Sequence, residues 1–555
     1  MLGFFKKKPP EDGVLTNLKT VSRWVQDLPA GDIYSAQEKV VQNLIQFNHS
    51  DKGYNKDRLQ VLMHLDEETR DMQASLCAQY LRNARMSKSI ESRLWIAIHA
   101  FYWEITRSYH GFLMDFVANP GGSKIQGQIP LITARAIRGF ADIIKWRYFR
   151  YEKMDEKLWL RLHNLFRIAE FDNFADTQVT VYRADGRTHS PAQEYGQAML
   201  LSPFGSGNLV PREIEMVDQW LDNWSDDIRI DTLYDPDRHA FYIDTSKGSG
   251  VKRSRNQASE PTLRFMATQA LLARIENIRE ALRNGASPVS LGLTEDFRLP
   301  EGNNLLNQVE TEWSVLDQRD RRRSPRIPQS GRWKVIHGLA TICGELSKAE
   351  QQGKGAGQGQ LSPEEILDIK LYGFVTERTK ERRLEQARQS SLQTRQELWE
   401  QSDASECGIG FQVGQLDSDW VKVGKLVAVC PAEDDHWHLG IVSRLARQDA
   451  GNRLIGIRLL EDLAYPVSLQ PDASDTALSY VVDEPDQPIA DQQSQAILLR
   501  DSEGNEQLII DGARYSRDRK FILRVPKQDS RVIRLEAVAE TGEAWLRVSY
   551  NVVAI

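Results

Sequence analysis

One apolar stripe in the first half of the sequence constrains the fold more than any other feature. Its members recur at three- and four-residue steps, which places them on one face of a long helix; they are Leu94, Ile98, Phe101, Ile105, Tyr109, Phe112 and Phe116. Pro120, Gly121 and Gly122 follow and end that helix. From about residue 15 to 167 we therefore predict a helical bundle or an array of helix pairs.

The pattern stays mostly helical up to about residue 300, with a mixed α/β segment near 177–245. Residues 1–14 are predicted to be a flexible start, and 301–320 a loop-rich linker. Apolar residues recur at helical spacing in three further runs, which predict helices over 132–153, 211–224 and 262–284. A strand is predicted over 177–183, and strand-prone sequence covers 228–243.

The period changes from helical to alternating in the second half, where β-branched and apolar residues recur in short runs separated by turns. The runs are 420–430, 438–445, 454–460, 495–499, 506–510, 520–525, 531–537 and 544–550. We predict a first β-domain up to residue 465 and a separate C-terminal β-rich domain over 466–555. The fold class is therefore multidomain α+β, with the helical region first.

An arginine-rich turn, Arg321 to Arg326, carries the first binding motif. It contains R-x-x-x-R at Arg322 and Arg326, with Pro325 beside it and Arg323 inside it. Guanidinium groups are permanently charged, flat, and able to bind phosphate oxygens in bidentate fashion or to stack on aromatic rings. The pattern indicates a ligand with phosphates.

A second motif, D-x-S-x-x-G, lies at Asp403, Ser405 and Gly408. A carboxylate and a hydroxyl two residues apart share one face of an extended chain. From there they can accept from and donate to the edge of a planar base. A glycine leaves room for a backbone or a ligand to approach. Phosphates and a base together indicate a nucleotide.

The two motifs, in this order, resemble those of the PilZ domain, a small β-barrel that binds cyclic di-GMP in bacteria. The resemblance covers about 320–345 and 400–462. It implies a PilZ-like barrel over 321–465 in which Arg322 and Arg326 hold phosphates and stack on guanine, and Arg323 adds a further contact to the ligand. Asp403 and Ser405 would then read a guanine edge, and Gly408 would keep the surface open. The domain is a receptor, so we expect no enzyme activity.

The spacing of the motifs departs from that family, because more than seventy residues separate Arg326 from Asp403. After a strand or strand pair over 333–346, a glycine-rich linker and a helix start at Ser362-Pro363 lead to a charged helical stretch over 375–401. We therefore predict a linker and helical insertion at 347–401. The alternative is an arginine-rich linker and an unrelated ordinary turn.

Composition limits the other possibilities. The net charge of −7 disfavours general nucleic-acid binding. The cysteines are Cys77, Cys343, Cys407 and Cys430, without CxxC or zinc spacing, which is typical of reduced cytoplasmic thiols. The N-terminal Met-Leu-Gly-Phe-Phe-Lys-Lys-Lys has its apolar residues before its lysines, unlike a signal peptide, and no apolar run is long enough for a membrane span. We expect a soluble cytoplasmic protein.

Three smaller features of the sequence have both a possible functional role and an ordinary structural explanation. The basic and aromatic residues of 145–151 could form a platform for single-stranded nucleic acid, but an amphipathic helix with core aromatics explains them better. His436 and His438 share a strand face, yet no third metal ligand accompanies them. Cys407 has no paired histidine and is expected to be a small buried filler. No catalytic residue and no metal ligand is predicted.

Three functions therefore remain. The first is a cyclic di-GMP receptor in which the ligand orders the arginine loop and changes the domain arrangement, with an unidentified protein partner bound through the helical region. The second is an interaction scaffold whose barrel no longer binds ligand, which the long insertion favours. The third is an RNA-associated regulator, which rests on 145–151 and the arginine run.

Overall fold

The computed structural model describes residues 13–29, 31–83, 86–122, 124–255, 258–298, 301–316, 326–352, 396–414, 420–434, 436–448, 452–460, 463–472, 494–526 and 528–553. The chain divides into two compact units, Met1–Arg321 and Arg322–Ile555. Within the described residues the first unit is mostly helical and the second is mostly β. The predicted fold class, multidomain α+β, is confirmed.

The first unit contains ten helices among its described residues. They are α1 (Leu18–Gln26), α2 (Ile33–His49), α3 (Lys56–Arg82), α4 (Lys88–Ala118), α5 (Ile129–Tyr148), α6 (Glu156–Phe171), α7 (Pro191–Leu201), α8 (Pro211–Asn223), α9 (Gln269–Arg283) and α10 (Glu301–Trp313). Side-chain caps define several starts: Ser87 accepts from Ile90 N before α4, and Ser190 and Gln193 form a capping box at α7.

Helix α4 carries the apolar stripe, and all seven of its predicted members are buried. Helices α2, α3 and α5 pack against it and contribute to one continuous core. The predicted helical packing of this region is therefore confirmed. The stripe determines the arrangement because its apolar area stabilises the unit only when neighbouring helices remove it from water.

Six short strands are also present among the described residues of the first unit. They are β1 (Val179–Thr180), β2 (Thr188–His189), β3 (Arg229–Asp231), β4 (His239–Asp244), β5 (Lys252–Arg253) and β6 (Leu263–Ala267). β1 pairs with β2, and the other four form a sheet in the order β3-β6-β4-β5. The strand predicted over 177–183 is thus only two residues long.

Two predictions for this unit were wrong. The helix expected over 262–284 begins only at Gln269, because Leu263–Ala267 is the strand β6, buried between β3 and β4. The linker expected over 301–320 contains α10 instead. That helix places Leu305, Leu306, Val309 and Trp313 in the core of the unit, which explains why Glu301–Trp313 forms part of the packed unit.

The second unit contains two closed six-stranded barrels. The first has the order β10-β11-β12-β9-β8-β7 and the second β13-β14-β15-β18-β17-β16. The strands of the first barrel are β7 (Ile327–His337), β8 (Glu397–Ser405), β9 (Gly408–Val413), β10 (Leu426–Pro431), β11 (His438–Arg447) and β12 (Arg453–Leu459). Those of the second are β13 (Leu463–Pro471), β14 (Ser494–Arg500), β15 (Glu506–Asp511), β16 (Lys520–Arg524), β17 (Arg531–Gly542) and β18 (Trp545–Val552).

One further helix, α11 (Leu339–Gln352), follows β7 after Gly338, whose φ is +88°. Ile342, Cys343 and Leu346 of α11 share an apolar cluster with residues of both barrels. The barrels also meet directly where Trp545 Nε1 donates to Gly424 O at 2.9 Å. The two barrels and α11 therefore share one interior contact surface.

Three boundary predictions in this unit were wrong. The strand expected over 333–346 ends at His337, and α11 follows because its apolar residues have helical spacing. The helix expected over 375–401 cannot include Glu397–Gln401, which belong to β8 with Trp399 buried in the barrel. Leu463–Pro471 belongs to the second barrel, so that barrel begins before residue 466. The rest of the insertion, 353–395, and the start 1–12 lie outside the described residues.

No helix within the described parts of the chain combines the length and the apolar character needed to cross a membrane.

Candidate functional site

Strands β7 and β8 bring the two sequence motifs together on the first barrel. The strands are antiparallel neighbours, with Ile327 opposite Ala404 and Pro328 opposite Asp403. Arg326 immediately precedes β7, and Asp403 and Ser405 lie near the end of β8. The register therefore places the last arginine of the first motif beside the carboxylate of the second.

Arg326 and Asp403 form an ion pair. Arg326 Nη1 donates to Asp403 Oδ1 at 3.1 Å, and the side chains are 43% and 29% exposed. An ion pair this open to water contributes about 0–1 kcal/mol to stability. The Arg326 guanidinium can therefore exchange Asp403 for another anion at little cost in free energy. The ion pair therefore connects the R-x-x-x-R motif with the D-x-S-x-x-G motif, although the predicted insertion separates them in the sequence.

Gly410 of β9 makes room for the Asp403 carboxylate. It is the strand partner of Asp403, and a Cβ at residue 410 would lie 2.6–2.7 Å from the Asp403 carboxyl group. Atoms cannot approach that closely without displacing the carboxylate. Neither sequence motif includes Gly410, although the Gly408-Ile409-Gly410 spacing places both glycines on the same side of β9.

Ser405 and Gly408 flank the turn between β8 and β9. Ser405 Oγ donates to Gly408 O at 3.3 Å, and the two residues are strand partners. A Cβ on Gly408 would lie 2.8 Å from Ile457 O of β12. The close approach at Gly408 is therefore to backbone, one of the two roles that a glycine in this motif can have.

Arg322 and Arg323, the other two arginines predicted to contact the ligand, lie outside the described residues. The structure therefore brings together Arg326, Asp403, Ser405 and Gly408 on β7 to β9, with Gly410 added. What this arrangement offers chemically is an exposed guanidinium, a carboxylate and a hydroxyl on one strand surface. It contains no activated nucleophile with a base beside it.

The basic and aromatic residues of 145–151 belong to the core of the first unit. Lys145, Trp146, Tyr148 and Phe149 are all buried. Burial works against the charge of Lys145, yet its pKa is raised because the carboxylates of Asp218, Glu215 and Asp142 surround it. Three of the four aromatic rings of this cluster are therefore unavailable for stacking on bases, whereas Arg147 and Arg150 are half-buried. The structural interpretation of this cluster is the correct one, although its lysine is buried rather than in water.

One group of described residues in the first unit has the composition of a metal site. A ring nitrogen of His189 and carboxylate oxygens of Glu194 and Asp222 lie within 4.8 Å of one another. Arg138 donates to Glu194 Oε2 at 2.5 Å and to Asp222 Oδ1 at 2.8 Å. The guanidinium therefore already supplies the positive charge that a metal ion would bring.

His436 and His438 stand close together in the first barrel, with ring centroids 5.1 Å apart. Among the described residues no third ligand groups with them. Burial lowers the pKa of His438, and His436 lowers it further. Cys407 is partly exposed rather than a buried filler.

Comparison with known proteins gives two findings. Residues 19–237, less than half of the chain, match the family model described as cyclic-di-GMP receptor FimW, N-terminal domain. A solved structure titled "MrkH, A novel c-di-GMP dependence transcription regulatory factor" is similar at 8% identity, covering 29% of this chain and 74% of that one with a TM-score of 0.13. A TM-score this low does not establish a shared fold. No curated protein matches the chain.

Proposed function

We propose that this chain is a receptor for cyclic di-GMP, with the ligand held on the first barrel and in the arginine loop before it. The residues assigned to the ligand are Arg322, Arg323, Arg326, Asp403, Ser405 and Gly408. The observation that carries the proposal is the Arg326–Asp403 ion pair. It brings together two motifs through residues that are 77 positions apart in the sequence. The family-model match over 19–237, described as part of a cyclic-di-GMP receptor, supports it independently.

Ligand binding would exchange one partner of Arg326 for another. A phosphate offers the guanidinium a charge-assisted, bidentate contact, which is stronger than a single contact to a half-exposed carboxylate. Asp403 would then be released to accept hydrogen bonds from the edge of guanine. Because the resting ion pair is worth about 1 kcal/mol or less, the exchange favours the ligand.

The exchange would order the arginine loop, and the strand that follows it leads to the second barrel. β7 runs from Ile327 to His337 and continues through Gly338 into α11. Cys343 Sγ of α11 donates to Ala496 O of β14 at 3.4 Å. Movement of Arg326 could therefore reach both barrels through one continuous segment, and a protein partner bound through the helical region would sense the resulting domain arrangement.

Calorimetric titration of cyclic di-GMP into the full chain tests this function, with GTP as the control ligand. Arg326→Ala and Asp403→Ala should each weaken binding at least about tenfold, because each removes a charged contact. Arg534→Ala is the matched control. Arg534 lies on β17 of the second barrel, with 46% of its side chain exposed and its Nε 4.0 Å from Asp518 Oδ1. Its loss should leave binding unchanged.

Absence of heat with the unaltered chain would exclude the receptor function and favour the scaffold. One observation favours that alternative: Asp403 already pairs with Arg326. Equal weakening by Arg534→Ala would show general charge attraction in place of a site.

A further inference from the structure

A cavity of about 620 Å³ lies inside the first unit. Its walls come from α3, α4, α5, α7 and α8, from the segment around β1 and β2, and from residues 289–296. Cavities of about 300–1,000 Å³ are the size that small-molecule ligands occupy. The volume is therefore sufficient for a metabolite-sized compound.

The residues that line the cavity include more acidic than basic side chains. Nine aspartates and glutamates and seven lysines and arginines line the cavity. On one wall, Lys145 Nζ is 2.7 Å from Asp218, 2.9 Å from Glu215 and 3.2 Å from Asp142. One buried ammonium thus faces three carboxylates.

The neighbouring cation, Arg138, is shared in the same way. Its guanidinium lies 2.5 Å from Glu194, 2.8 Å from Asp222 and 3.8 Å from Asp218. Arg187 at 44% exposure adds a second contact to Asp222. Carboxylates therefore outnumber the buried cations on this wall.

Another part of the lining is apolar and aromatic. Phe101, Tyr102 and Ile105 of α4 contribute to it, with Leu81 of α3 and Trp146 of α5. Aromatic faces attract cations, and the attraction grows when the cation is removed from water. An apolar group and a positive charge in one molecule would each find a complementary surface here.

The state of Asp142 agrees with this charge imbalance. Burial raises the pKa of Asp142 to about 6, even though Lys145 and Arg138 are close. The charged or titratable groups around it are those two from α5, Asp218 and Glu215 from α8, Tyr102 from α4, Cys77 from α3 and Tyr182 from the segment around β1. A further positive charge would favour the ionised form of Asp142.

Other ligand classes fit less well. An anion would have to displace carboxylates from Lys145 and Arg138 inside a wall of negative charge. A metal ion at His189, Glu194 and Asp222 would meet the guanidinium of Arg138. An organic cation requires neither displacement.

We propose that this cavity binds a small organic cation, an amine or guanidine carried on an apolar chain or ring. Asp142, Glu215 and Asp218 hold the cationic group beside Lys145, and the aromatic wall holds the apolar part. The proposal concerns the first unit alone, so its test is independent of cyclic di-GMP binding on the barrel.

Calorimetric titration of the full chain with phenethylamine and with agmatine tests the proposal. 2-Phenylethanol, which has the same apolar body as phenethylamine and no charge, is the matched control ligand. We expect saturable binding of at least one of the two cations and at least about tenfold weaker binding of the alcohol, because a charged contact is lost. Binding of neither cation would overturn the proposal.

Two variants locate the site. Glu215→Gln should weaken binding of the cation about tenfold, while Glu276→Gln, an exposed change on α9, should not. Equal weakening by both variants would indicate general charge attraction and overturn the proposal. Should Glu215→Gln fail to fold, the unaltered chain provides an independent measurement.

Proton release from the unaltered chain is that measurement. Near pH 6, binding of a cation beside Asp142 should expel a proton, since the pKa of Asp142 is about 6 in the free protein. The binding heat should then depend on the ionisation enthalpy of the buffer. At about two pH units higher, where Asp142 is already ionised, that dependence should vanish. Binding without proton release near pH 6 would contradict the assigned position.

Discussion

Arg135 Nη1 lies 3.1 Å from Asp66 Oδ2 and 2.8 Å from Tyr109 Oη, inside the helical unit. The Tyr109 hydroxyl in turn donates to Asp66 at 2.7 Å. Arg135 is only 3% exposed. The three side chains therefore form a closed buried network that joins α3, α4 and α5.

Arg135→Met should destabilise the helical unit by about 3–5 kcal/mol, because it leaves Asp66 buried without its cation. Urea unfolding followed by helical circular dichroism measures the loss. Arg274→Met is the control, since Arg274 is 37% exposed where it pairs with Asp227 and should cost about 0–1 kcal/mol. Addition of Asp66→Asn should recover part of the loss; equal costs for the two arginines would contradict the buried network.

Asp142 should make the helical unit less stable as the pH rises. Its folded pKa, about 6, is raised by burial above the ordinary value of 3.8. Its contribution is therefore complete below about pH 4 and is lost as the pH rises through 6, with a total of about 3 kcal/mol. The measurement is the free energy of unfolding between those pH values and neutrality.

Asp142→Asn removes this titration, so the difference in unfolding free energy between the variant and the unaltered chain should itself depend on pH. The unaltered chain should lose stability relative to the variant as the pH rises through 6. A difference that stays constant with pH would mean that Asp142 does not titrate in this range.

Gly410→Ala should disrupt the candidate ligand site with little effect on the barrel. The added Cβ would meet the Asp403 carboxylate and displace it from the position in which it would accept hydrogen bonds from guanine, so cyclic di-GMP should bind at least about tenfold more weakly. Overpacking of this kind costs about 1–3 kcal/mol. Gly414→Ala is the control because a Cβ there would meet nothing within 4 Å, and calorimetry on both variants decides.

The four cysteines should differ sharply in reactivity. Burial raises the pKa of the Cys77 thiol to about 12, and burial likewise raises the pKa of Cys343 to about 12. Cys430 is fully buried, whereas Cys407 is partly exposed. With a thiol reagent at about pH 8, where a thiolate is the reactive form, Cys407 should react first.

Cys407→Ser should remove the fast reaction, and denaturation should expose the remaining thiols. Mass spectrometry of the labelled peptides identifies which cysteine has reacted. Rapid labelling of Cys343 in the folded chain would show that α11 detaches from the barrels.

The sequence was sufficient to predict the features that depend on local pattern. The stripe from Leu94 to Phe116 repeats at helical spacing, and all of it is buried as predicted. α10 had the same kind of signal, since Leu305, Val309 and Trp313 recur at four-residue steps. The position of this segment between two predicted domains favoured a linker over that helical signal. α11 was missed because a barrel strand was expected to continue there.

Features that depend on distant partners could not be predicted. Lys145 has the neighbours of an exposed basic cluster in the sequence, yet Asp218 and Glu215, its carboxylate partners, lie some seventy positions later. Gly410 has a recognisable purpose only once β8 is placed beside β9. The two motifs predict that Arg326 and Asp403 contact the same ligand. Their direct contact with each other depends on the register of β7 and β8.

Closure of the two barrels limits how this protein can be recognised by others. Each strand of the first barrel that the structure describes hydrogen-bonds to a neighbour on both sides, because β7 pairs with β10 as well as β8. Strand addition by a peptide requires an open row of backbone N–H and C=O groups. A macromolecule that docks on the barrel wall must therefore read side chains, so its affinity should respond to point substitutions on the barrel exterior.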